Sequence, residues 1–249
     1  MYEFSYLYGT MAFAPFWFYC FLIRPDLRPT MLTLSSLFGI GGVLSEFIYS
    51  RDWWEPIFFS GTTGAGIEDF LFGFFFSGCV AVFYEIVFNK TYEKRHDCAN
   101  FTTKFRYIAL FFCSLFFGSA LILNLHSFSA TVLAFGISTI YILSCRKDLI
   151  PNAITGALFS SFLALLFFGI PELLTSGWVE STWSLHNLSG NFILHMPAED
   201  FVWFLLAGAY IAPLHKFWKN NISVAYVAPK HSRVLYPSKA ELAAEKSGD

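Results

Sequence analysis

Seven stretches of this chain are long and apolar enough to cross a membrane, near 5–23, 30–50, 67–88, 105–124, 128–145, 150–170 and 199–218. A membrane helix takes about 20 such residues. The expected fold is therefore all-α: a polytopic membrane protein with seven transmembrane helices. Only 14% of the residues are charged, against about a quarter in a soluble domain, and 55% are hydrophobic, with mean hydropathy +0.53. A large soluble core is excluded. Basic residues are few and dispersed, so no nucleic acid partner is expected. Cys20, Cys79, Cys98, Cys113 and Cys145 form no CxxC pair and mostly sit in apolar runs, as buried small hydrophobes do. No basic segment precedes the first apolar run, so it does not read as a cleaved signal peptide.

Charge sets the expected orientation. With seven spans, Arg24, Arg28, Lys90, Lys94, Arg95, Lys104, Arg106, Arg146, Lys147, Lys216 and the basic residues after it share one side, and Arg51 stands alone on the other. Fifteen of sixteen basic residues thus fall together, as the positive-inside rule requires. The N-terminus is expected outside and the C-terminus in the cytoplasm, in an integral protein of the cell membrane. The polar tail at 219–249 reads as a mobile cytoplasmic appendage.

The chain also resembles itself. A shift of 122 residues lays Arg24-Pro25-Asp26-Leu27-Arg28-Pro29 on Arg146-Lys147-Asp148-Leu149-Ile150-Pro151, and pairs Ser5 with Ser127, Ala12 with Ala134, Phe13 with Phe135 and Tyr19 with Tyr141. The expected organisation is one three-helix repeat at 1–88, a linker loop and helix at 89–124, and a second three-helix repeat at 125–218. Three helices reverse direction and the fourth restores it, so the repeats run parallel about a pseudo-twofold axis along the membrane normal.

Each repeat places an acid pair at the mouth of its last helix: Glu68-Asp69 and Glu199-Asp200. Ionised groups lose hydration there, so such pairs are costly. One such pair is simply explained by capping, since acids at a helix start complement its dipole. Repetition, flanking aromatics and a third acid, Glu46, point beyond capping. Glu46 could alternatively partner Arg51. Adjacent helical residues stand about 100° apart, so one acid of each pair can cap while the other faces the bundle. Neighbouring carboxyls can supply a protonated acid beside a base. Among weaker candidates, His186 and His195 lie in a loop without metal-ligand spacing, and no metal is expected. Trp53, Trp54, Trp178 and Trp183 are most simply an interfacial belt, though they could wall a site.

The segment Gly66-Ile67-Glu68-Asp69-Phe70-Leu71-Phe72, followed by Phe83-Tyr84-Glu85, resembles the lycopene cyclase domain of small membrane carotenoid cyclases. Pro197-Ala198-Glu199-Asp200-Phe201 resembles the same Pro-x-Glu-Glu/Asp motif more closely, and Glu46 matches an acid in the preceding helix. The resemblance spans both repeats, as two such domains in tandem. Gly66 departs from the motif proline, and Lys216 stands where the first repeat has Glu85. The resemblance implies a cofactor-free, non-redox isomerisation by an intramolecular lyase. An acid protonates the terminal alkene of lycopene, the cation closes a six-membered ring, and a base removes a proton to leave a β-ring. Glu68 and Glu199 are the expected acid and base, with Asp69, Asp200 and Glu46 tuning them. Phe70, Phe72, Phe201 and Trp203 are the expected contacts for a lipophilic carotenoid within the bilayer, and other carotenoid-pathway enzymes are possible partners.

Other classes fit less well. A SWEET-type sugar transporter shares the three-one-three plan, but the Pro-Gln signature of that group is missing. A retinal-binding protein would need a lysine in the middle of the seventh helix, and Lys216 stands near its end. A cyclase-like protein serving another isoprenoid is a further alternative.

Overall fold

A computed structural model of the chain describes residues 2–59, 61, 64–95 and 105–227. Cys98, Lys104 and the tail from 228 onward lie outside the described residues. Among the described residues there are seven apolar helical spans: Ser5–Ile23, Pro25–Tyr49, Ile67–Val87, Phe105–Ile122, Ser127–Cys145, Lys147–Leu174 and Ala198–Lys219. Helices suit such segments because hydrocarbon offers the backbone no partner, and a helix satisfies its own N–H and C=O groups.

Two departures from the expected spans have local causes. The first span is broken into α1 (Ser5–Met11) and α2 (Ala14–Ile23). Pro15 lies in the first turn of α2, and a proline cannot donate the hydrogen bond that would continue the preceding helix. The chain after the last span does not leave the fold at once: β4 (Asn221–Ala225) pairs antiparallel with β1 (Lys90–Lys94). Asn89 and Asn220, both left-handed (φ 49° and 54°), turn the chain from helix into these strands. Asparagine takes that conformation more readily than most residues.

The remaining long helices are α3 (Arg28–Tyr49), α4 (Ile67–Val87), α5 (Phe105–Phe117), α6 (Ser127–Cys145) and α7 (Ile150–Leu174); a short α8 (Trp178–Thr182) precedes α9 (Ala198–Lys219). A two-stranded ribbon, β2 (Phe192–Ile193) with β3 (Met196–Pro197), leads into α9. The acid-pair helices α4 and α9 lie at the centre and touch each other; α3 packs along α4 and α7 along α9. Helix α5 closes a turn of π-helix (Gly118–Ile122) and leans on α6.

Small residues set the two tight pairs, since apolar helices gain little from burial in lipid and depend on close packing. A Cβ at Gly73 would strike the Phe38 carbonyl, and one at Gly208 would strike the Gly156 carbonyl and the Ser160 hydroxyl. Backbone carbonyls cannot swing aside as a side-chain end can, so Gly73→Val or Gly208→Val must spread its pair. The expected loss is about 1–3 kcal/mol, read as a lowered unfolding midpoint in detergent. An unchanged midpoint for both would show that these contacts do not set the spacing.

Away from the acid pairs, the two halves repeat their contacts. Arg24 grips Asp26 at 2.7 Å and also bonds the Lys90 carbonyl; Arg146 grips Asp148 at 2.6 Å and donates to the Asn221 carbonyl at 2.9 Å. In the strand pair Tyr92 faces Ser223, with Lys90 opposite Ala225 and Lys94 opposite Asn221. Between the helices, Lys216 Nζ of α9 donates to Glu85 Oε1 of α4 at 2.5 Å, both side chains being fully buried. Asn152 and Ser223 donate to the same oxygen at 3.3 and 2.9 Å, and Tyr92 donates to Oε2 at 3.2 Å. Burial first, and the Glu85 carboxylate second, push the Tyr92 phenol well above its ordinary pKa. It therefore remains a donor to that carboxylate.

Candidate active site

Glu68 and Asp69 occupy the first turn of α4, and both are buried. Their side chains part company, as the 100° step requires. Glu68 Oε1 turns back to accept the Phe59 N–H at 2.8 Å, holding the preceding loop. Asp69 Oδ2 accepts the Gly66 N–H at 2.8 Å, and Oδ1 accepts the Tyr6 hydroxyl at 2.8 Å. Position 66 thus supplies a donor that a proline would lack.

The second pair divides in the same way. Glu199 Oε1 accepts the Ser189 N–H at 2.6 Å, tying down the loop before α9. Asp200 Oδ2 accepts the Trp53 indole N–H at 3.3 Å. Pro197, which precedes α9, has no N–H to offer. Asp200 therefore lacks the backbone N–H that Asp69 receives from position 66.

Both aspartates line one cavity of about 280 Å³, together with Glu46. Glu46 does not pair with Arg51, which donates instead to the Ala120 carbonyl and the Asn124 side chain. Glu46 Oε2 accepts the Trp54 indole N–H at 3.1 Å; Oε1 is buried and has no hydrogen-bond partner among the described residues. The remaining wall is strongly aromatic, with Phe72 and Phe76 of α4, Trp203 and Phe204 of α9, Phe112 of α5 and Phe167 of α7. Tyr49 also lines it, its hydroxyl accepting the Trp203 indole N–H at 3.0 Å and the Thr131 hydroxyl at 3.1 Å.

Several sequence expectations shift here. Glu68 and Glu199, expected as the acid and base, hold loops and do not line the cavity, whereas Glu46, Asp69 and Asp200 do. Phe72 and Trp203 stand in the wall, but Phe70 and Phe201 do not: Phe70 packs against Gly39 and stacks on Phe74. The belt reading of the tryptophans fails for Trp53, Trp178 and Trp183, which are 3%, 1% and 5% exposed and so face the core rather than headgroups. Trp53, Trp54 and Trp183 line the cavity, as the other reading allowed. His186 and His195 are exposed and lie apart from it. Tyr6 and Tyr49 went unnoticed, because nothing local marks a tyrosine in an aromatic helix as a site residue.

The family model described as lycopene cyclase matches residues 126–218, from the start of α6 almost to the end of α9. Over those residues the chain is similar to the lycopene cyclase family. No curated protein and no solved structure matches the chain. The match covers the helix that carries Glu199 and Asp200, so one of the two acid pairs lies within the matched segment. Seven apolar spans among the described residues, together with this match, fit an integral membrane protein whose second half is similar to the lycopene cyclase family.

Proposed function

We propose that the chain cyclises the open end groups of lycopene to β-type rings, in one cavity built jointly by both halves. The observation that carries this is the meeting of Glu46, Asp69 and Asp200 inside an aromatic, membrane-depth cavity. A carboxyl there adds a proton to the terminal alkene, leaving a tertiary carbocation. The nearby double bond attacks that centre, forming one carbon–carbon bond and moving the positive charge into the new ring. A carboxylate removes a ring proton to make the ring alkene. No atom is gained or lost and no electron leaves.

Aromatic faces stabilise a cation, and exclusion of water prevents its capture as an alcohol. Asp69 meets two donors and is suited to holding the negative charge of the base. Glu46 keeps one oxygen free of partners and, with Asp200, is placed to carry the proton. Glu68 and Glu199 act at one remove by holding the loops before α4 and α9.

A duplicated origin supports the joint cavity. The matching Arg-x-Asp turns and the central Tyr92–Ser223 pairing are what two parallel three-helix repeats about a twofold axis would produce. The clustered basic residues support placing the acid pairs toward the outer leaflet, with the strand pair in the cytoplasm.

Expression in cells that accumulate lycopene, with chromatographic separation of pigments, tests the proposal. Ring-bearing carotene of unchanged mass is the expected product. Unchanged lycopene beside well-inserted protein would sink this substrate.

A further inference from the structure

The cavity is open sideways. Nearly all of its lining is buried or half-buried; the exposed members are Ile40 and Leu44 of α3 and Cys113 of α5. All three lie well inside their spans, at a depth where a membrane protein meets hydrocarbon rather than water. The two helices behind them meet at one end, where Tyr49 and Ile48 pack on Phe116, and stand apart along the rest of their length. α3 is held by α4, and α5 by α6, which leaves a slot between α3 and α5. Neighbouring glycines in α3 differ in kind. A Cβ at Gly42 would strike the Asp69 carbonyl, so that glycine serves helix packing. At Gly41, which lines the cavity, a Cβ would meet nothing within 4 Å.

Resting on the cyclase reading above, we propose that the α3–α5 slot is the port through which a polyene end group enters from the bilayer, and that Gly41 sets its width. Size supports this. A cavity of about 150 Å³ holds a benzene ring, and the cavity of about 280 Å³ here suits one end group, not a whole carotenoid. The rest of the polyene must trail out through an apolar opening, and the slot is lined by Ile40, Leu44, Cys113 and Phe117. One cavity also means one end at a time. The half-cyclised product leaves through the slot and returns with its other end, so a monocyclic carotene precedes the bicyclic one.

Gly41→Phe sets a ring at the slot from a position where the Cβ itself meets nothing within 4 Å. Gly136→Phe is the control: a Cβ there also meets nothing within 4 Å, but Gly136 of α6 lies outside the cavity lining. Both are expressed in lycopene-accumulating cells at matched yields of monodisperse protein. Two readouts are taken: rings formed, and pigment copurifying per protein from the polyene and protein absorbances. Gly41→Phe is expected to lower both by about tenfold or more, with the control near wild type. Equal cyclisation and equal bound pigment in wild type and Gly41→Phe would overturn the port while leaving the cyclase reading intact. If wild type binds pigment without cyclising it and Gly41→Phe loses the pigment, the port stands and the cyclase reading falls. Wild type that neither binds nor cyclises overturns both.

Discussion

Asp69→Asn and Asp200→Asn are each expected to cut ring formation by about a hundredfold to ten-thousandfold, the usual share of a general acid or base. Glu46→Gln belongs with them. Each exchange keeps shape and removes a proton site from the cavity, so the protein should still insert and still bind pigment. Glu68→Gln and Glu199→Gln form the contrast. Their carboxylates accept backbone N–H bonds from Phe59 and Ser189, and the amide oxygen of glutamine can accept the same bond. These two should lose less than about tenfold, since a neutral acceptor weakens a loop tether without touching the reacting alkene. Initial rates of ring formation in membranes, normalised to inserted protein, separate the groups. The reverse ranking, with the glutamates essential and the aspartates dispensable, would falsify the cavity assignment.

The second large effect concerns stability. Lys216→Met alone leaves the Glu85 carboxylate buried without its cation, and Glu85→Met alone strands the ammonium of Lys216. Either is expected to cost about 3–5 kcal/mol, the usual penalty for breaking a buried pair. The double replacement Glu85→Met/Lys216→Met removes both charges and should cost less than either single change, although Asn152, Ser223 and Tyr92 then lose an acceptor. Denaturant titrations of the three variants in mixed micelles measure this. Single losses that simply add in the double variant would mean that the two charges do not stabilise each other.

That pair also shows how differently two levels of the molecule could be read. The departure of Lys216 from Glu85 looks in sequence like one half losing a motif residue. In the fold, the two positions lie against each other, so the departure is a complementarity: two glutamates meeting there would repel. A shift along one chain compares residues but does not say which of them touch.

The acid helices make a similar case. Along α4, Glu68 shares a stripe with Leu71, Phe72 and Phe75, while Asp69 shares one with Phe72, Gly73 and Phe76. Both stripes are apolar, and Glu68 and Asp69 are 0% and 2% exposed. Neither periodicity nor burial separates them. The choice came from α3, whose Gly39 and Gly42 draw it against α4, and from Tyr6, which reaches Asp69 from the first span. The same limit hid the break at Ala12–Phe13, where Pro15 was visible but its effect on a half-buried helix was not.

Seven spans and the existence of two acid pairs followed from the sequence by itself, because hydrocarbon thickness sets helix length and charge in an apolar run is too costly to be incidental. Which carboxyls face inward, that they share one cavity, and that the cavity opens between α3 and α5 were decided only by the tertiary structure. In a chain aromatic on every helical face, solvent no longer distinguishes inside from outside. Direction is then set by close packing between helices distant in sequence, which no local pattern encodes.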